Sequence, residues 1–89
     1  VKLIVKRLCE IYKSKKQEEL YLYVDKTEGF KRVPPELLGK INQDKAIMTL
    51  LLTPERKLSR ADVNKVLSEI EVNGFYLQLP PREYVKREM

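Results

Sequence analysis

The chain is 89 residues long, 43% apolar and 35% charged, with 18 Lys and Arg against 13 Asp and Glu for a formal charge of +5. That length supports one core, the apolar fraction excludes a disordered chain, and no apolar run approaches the roughly 18 residues that a bilayer span requires. Histidine is absent and Cys9 is the single cysteine, so histidine-based catalysis and an internal disulfide are excluded; the first residues show no long apolar region ending in a small-residue cleavage site, and a reducing, cytoplasmic setting is expected.

Residues 8–14 alternate as a strand does, with Cys9, Ile11 and Lys13 on one side and Leu8, Glu10, Tyr12 and Ser14 on the other. Residues 20–24 form a second strand, Leu20, Leu22 and Val24 facing one way and Tyr21 and Tyr23 the other. The polar Lys15-Lys16-Gln17-Glu18-Glu19 between them is short enough to close a hairpin, which predicts antiparallel neighbours. Pro34 and Pro35 suit the first turn of a helix, where a missing N–H costs little; Glu36, Leu37 and Leu38 continue it and Gly39 ends it. In residues 45–53, Ala46-Ile47-Met48 and Leu50-Leu51-Leu52 give nearly continuous apolar character, which predicts an interior strand covered on both faces.

Ser59 followed three residues later by Asp62 resembles a capping box. Val63, Val66, Leu67 and Ile70 then fall on one helical face, and Asn73-Gly74 supplies a left-handed stop. Phe75, Leu77 and Leu79 alternate with Tyr76 and Gln78 in a last strand that Pro80-Pro81 terminate, and residues 82–89 restart as a short helix exposing Arg82, Lys86 and Arg87. The order strand, strand, helix, strand, helix, strand, helix predicts a small single-domain α+β sandwich. Its sheet is expected to be mixed, with helices packed on it; strands 45–53 and 74–79 would run parallel through a helical crossover if they are neighbours.

Four motifs together resemble the bacterial YcgL domain family: Cys9-Glu10-Ile11-Tyr12-Lys13-Ser14, Tyr21-Leu22-Tyr23-Val24, Phe30-Lys31-Arg32-Val33-Pro34 and Gly74-Phe75-Tyr76-Leu77-Gln78-Leu79-Pro80-Pro81. They cover residues 8–81 in the family's order and spacing. The resemblance implies a compact α/β domain found mainly in gammaproteobacteria, and it implies little about activity. It divides the chain into an N-terminal extension, residues 1–7, and a single domain, residues 8–89. In two places the chain departs from the family pattern: the proline run stops at two and gives way to Arg82-Glu83, and Lys2, Lys6 and Arg7 precede the pattern.

Three constellations invite a functional reading. Tyr12, Tyr21 and Tyr23 on neighbouring strands could form a stacking platform for bases ringed by Lys13, Lys15, Lys16 and Lys26, or could simply pack under a helix. Lys13-Ser14-Lys15-Lys16 could hold an anion, yet a hairpin tip is where solvated charge normally sits and Glu18-Glu19 cancel much of its field. Gln78, an amide on an otherwise apolar strand, needs partners: either backbone groups beside Pro80 or a groove shared with Tyr76. Cys9 reads as a small core side chain, because no histidine is present to activate it; Asp25 with Glu28, and Glu55 with Asp62, lack the spacing of a metal or acid/base motif.

The leading reading is a non-enzymatic protein- or peptide-binding adaptor module using a sheet-edge groove, with Tyr12, Lys13, Tyr21, Arg32, Tyr76 and Gln78 as binding residues. No catalytic residue, metal or cofactor is expected, and the chain is expected to be a monomer without membrane contact. The second reading is a weak nucleic-acid accessory module driven by the N-terminal charge. The third is an enzyme without histidine that relies on tyrosine, lysine and carboxylate.

Overall fold

The expected hairpin forms. In a computed structural model that describes residues 6–58 and 61–80, β1 (Arg7–Lys13) and β2 (Tyr21–Asp25) pair antiparallel, Lys13 opposite Tyr21 and Cys9 opposite Asp25. Ser14 turns the chain: its Oγ accepts the backbone N–H groups of Lys16 and Gln17 at 3.2 and 3.0 Å, and its own N–H donates to Leu20 O at 3.0 Å. There follow a one-turn helix α1 (Pro35–Leu38), a strand β3 (Met48–Leu52), the helix α2 (Val63–Asn73) and a short strand β4 (Tyr76–Gln78). The α+β class holds, but the sheet order is β3-β1-β2-β4 and every pairing is antiparallel, not mixed. β3 and β4 lie on opposite edges, so the helix between them joins strands that never meet.

β3 is therefore not the interior strand its composition suggests. Met48 and Leu51 remain 47% and 46% exposed. The interior places go to the hairpin strands, which carry buried side chains on both faces. On one face Cys9, Ile11, Tyr23 and Leu52 pack against Val63, Val66, Leu67 and Ile70 of α2; on the other, Tyr12, Leu22 and Val24 pack against Val33 and Ile41 of the long connection that contains α1. Burying each such aliphatic side chain contributes about 1.5–3 kcal/mol, which makes these two half-cores the main stabilising element of so small a domain.

The N-cap of α2 is Asp62, whose Oδ1 accepts the Asn64 N–H at 3.0 Å. Ser59, expected to cap it, lies outside the described residues, as does the expected helix over 82–89. The stop is as expected: Gly74 has φ +92° and its N–H bonds Ile70 O at 2.9 Å. A Cβ at Gly74 would stand 2.5 Å from Arg32 Cβ, so this position needs glycine both for its backbone and for the space.

Two substitutions test this packing in a denaturant titration. Leu67→Ala is expected to cost about 2–5 kcal/mol, as core truncations do, and Gly74→Ala more than about 1 kcal/mol because alanine resists a positive φ. A loss from Leu67→Ala no larger than that from truncating the exposed Val72 would show that the wrong face of α2 has been assigned to the core.

Candidate functional site

The pairing of β2 with β4 sets Tyr21 opposite Gln78 and Tyr23 opposite Tyr76, so these four side chains share the face on which α2 packs. Tyr23 and Tyr76 meet edge to face, centroids 5.6 Å apart and planes at 79°. Tyr23 Oη donates to Gln78 Oε1 at 3.0 Å, a buried side-chain bond across neighbouring strands. The partner of Gln78 is thus a tyrosine hydroxyl, not backbone beside Pro80. Gln78 also lines a groove beside β4.

That groove, about 480 Å³, runs along the outer side of β4 between Tyr76, Gln78 and Leu79 and the α2 residues Lys65 and Glu69. Among the described residues β4 pairs only with β2, so its outward N–H and C=O groups have no ladder partner. Asn73 Nδ2 donates to Glu69 Oε1 at 2.7 Å and fixes that carboxylate. A second depression, about 270 Å³, crosses the same face between Tyr21, Ile11 and Met48, and Gln78 lines it too. Lys13, exposed at the end of β1, lies opposite Tyr21 on this face.

Tyr12 and Arg32 are placed elsewhere. The register puts Tyr12 opposite Leu22, on the other side of the sheet, so the three-tyrosine platform does not form. Its ring packs 4.8 Å from Phe30, and its Oη donates to Glu10 Oε1 at 3.0 Å while Lys26 Nζ reaches Glu10 Oε2 at 3.3 Å. Burial and the bond to Glu10 both push the Tyr12 phenol above its ordinary range. Arg32 fastens the end of α2: Nη1 donates to Val72 O at 3.0 Å, and Nη2 to Ile70 O and Glu71 O at 3.3 Å each. Glu71 O and Val72 O are carbonyls that the helix does not satisfy itself, while Ile70 O also accepts the Gly74 N–H. Its Nε donates to Glu28 at 2.6 Å, and that bond holds the Glu28 carboxyl below its usual range.

The reactive candidates are similarly occupied. Cys9 is fully buried and burial pushes its thiol up to about 11, with the nearby Arg7 charge opposing, so the thiolate is scarce at neutral pH. Asp25 accepts Arg7 Nη1 at 2.9 Å and the Thr27 N–H at 2.9 Å. Among the described residues no three His, Cys, Asp or Glu side chains converge on a point that could hold a metal ion, and no helix is long and apolar enough to cross a membrane. Sequence reasoning missed Lys65 and Glu69. Their signal was their spacing, four apart on α2 and off the Val63-Val66-Leu67-Ile70 face.

The YcgL domain profile matches residues 9–81. A YcgL domain-containing protein of Cellvibrio japonicus is 51% identical over 84 residues, covering 94% of this chain and 86% of the relative. One from Pseudomonas paraeruginosa is 53% identical and one from Stutzerimonas stutzeri 49%, each over 79 residues, 89% of this chain and 81% of the relative. The chain belongs to the YcgL domain family.

The Tyr23–Gln78 bond can be weighed directly. A double-mutant cycle with Tyr23→Phe and Gln78→Leu is expected to give a coupling of about 1 kcal/mol in unfolding free energy. A coupling near zero would mean that Gln78 is held by its surroundings and not by the tyrosine.

Proposed function

We propose that this member of the YcgL domain family is a non-enzymatic binding module that takes an extended segment of a protein partner along the open edge of β4. The observation that carries the reading is the coincidence of a strand edge with no ladder partner among the described residues and a groove beside it. An extended peptide adds to such an edge through backbone hydrogen bonds and sends alternate side chains into the adjoining groove, which gives affinity and selectivity separate sources. A volume of about 480 Å³ suits one or two side chains. Tyr76 offers an aromatic wall, Gln78 an amide, and Lys65 and Glu69 a cation and an oriented anion to read a charged position on the ligand. Leu79, 63% exposed, extends the apolar rim.

The non-enzymatic part is supported by the engagement of the reactive groups: a protonated buried thiol, and Asp25, Glu10 and Glu28 held in ion pairs. A cytoplasmic setting is supported by Cys9 being a free, fully buried thiol. The nucleic-acid reading loses its stacking platform, because Tyr12 and Tyr21 lie on opposite faces.

The test is to select extended peptides on the immobilised full chain and map each on the amide resonances of the labelled protein. Selected peptides should perturb residues 76–79 and 65–69, and Glu69→Lys should reverse the charge preference at one peptide position. Peptides that perturb only the lysines of the hairpin, or single-stranded RNA that binds where no peptide does, would overturn it.

A further inference from the structure

The groove along β4 makes no use of the lysines of the hairpin loop. Lys15 and Lys16 follow closely on β1, and the fold brings a third lysine to them from the connection after α1. An antiparallel bridge pairs Ser14 with Ile41. On either side of it the Lys15 N–H donates to Lys40 O and the Asn42 N–H to Lys13 O, each at 2.9 Å. Ile41 is completely buried, so this segment is anchored against the end of β1 and Lys40 is set beside Lys15. Ser14, also buried, fixes the other side: its Oγ accepts the Lys16 and Gln17 N–H groups and holds the turn from which those two side chains leave.

Ser14, Lys15, Lys16, Gln17, Leu20 and Lys40 line a cavity of about 360 Å³. Among the described residues no carboxylate lines it: Glu18 and Glu19, the neighbours whose charge was expected to cancel the field, are not on its wall. None of the three lysines takes part in an ion pair among the described residues. Three like charges around one cavity repel, and an anion between them turns that repulsion into attraction. We propose that this cavity binds a small phosphate-bearing ligand, with Lys15, Lys16 and Lys40 holding the phosphate. Lysine binds phosphate as a point charge, so three of them on separate backbone segments enclose it without requiring one fixed geometry. The Gln17 amide adds a directed hydrogen bond, and the buried Leu20 gives an apolar floor for the part of the ligand next to the phosphate. The volume lies at the small end of ligand cavities, which suits a small molecule and not a polymer. A nucleic-acid strand is followed by a track of cations with aromatic rings for its bases; here the cations converge on one cavity and no aromatic side chain among the described residues lines it. The cavity shares no lining residue with the groove along β4, so the two readings stand or fall separately.

Inorganic diphosphate and a nucleoside diphosphate, titrated separately into the labelled full chain at low salt and followed on its amide resonances, test this. Each is expected to saturate a single site, to shift residues 14–17 and 39–41, and to bind more weakly as salt is raised. The tighter of the two identifies the source as free or esterified phosphate. Lys15→Ala, Lys16→Ala and Lys40→Ala should each raise the dissociation constant about threefold. Lys57→Ala, which removes the same charge from an exposed position outside the cavity, should leave it unchanged. Shifts that spread over all the lysines without saturating, a dissociation constant as sensitive to Lys57→Ala as to Lys40→Ala, or single-stranded RNA that binds these residues more tightly than either diphosphate would overturn the proposal.

Discussion

The rest of the molecule follows from β2 being buried on both faces. Leu22 and Val24 are completely inaccessible on one side, while Tyr23, 6% exposed, is covered on the other. A strand with two apolar faces cannot sit at an edge or under a single layer, so the chain must supply a cover above and below it. It does so with unequal means. α2 covers one face with four side chains at helical spacing, and the connection from 26 to 47, whose only regular piece is the one-turn α1, covers the other with Phe30, Val33, Leu37 and Ile41. With β1 on one side of β2 and β4 on the other, β3 is left an outer place, and it takes the far side of β1, which makes it an edge.

Charge is distributed along the sheet to the same end. Arg7, at the start of β1, binds Asp25 at the end of β2 and Glu71 on α2, so one guanidinium ties both interior strands to the helix. Its Nε is buried with no partner among the described residues, a cost borne within that cluster. Arg7 stands outside the family pattern read from sequence, yet its side chain works inside the fold. Arg32 closes the same end of α2 from the other layer. Tyr21, Gln78 and Lys13 lie at the opposite end of the sheet, free of that network. One end is fastened, and the polar groups of the proposed site lie at the other.

What the sequence made legible was parity, and what it hid was order. Alternation assigned the two faces of β1 and β2, helical spacing assigned the core face of α2, and Asn73-Gly74 marked its stop, because each of these is set by local backbone geometry. Strand order depends on which partner gains most from burial, and nothing local to Leu50-Leu51-Leu52 distinguishes an interior strand from an edge that exposes leucine. The candidate site divides in the same way. Tyr76 and Gln78 were legible as one face of a strand, and Tyr21 joined them once β2 paired with β4. Tyr12 was separated by register, which the five-residue hairpin loop determines. Arg32 was read as a binding residue because its acceptors, the last carbonyls of α2, lie some forty residues away in sequence.

The two edges differ in length. β4 contributes three residues before Leu79 and the prolines Pro80 and Pro81, so a strand added there gains few backbone bonds and must draw its affinity from side chains entering the groove. β3 contributes five residues of unbroken ladder to the opposite edge, with Met48 and Leu51 about half exposed. The two edges are kept apart by β1 and β2, which are covered on both faces, so a change at one edge leaves the packing of the other intact.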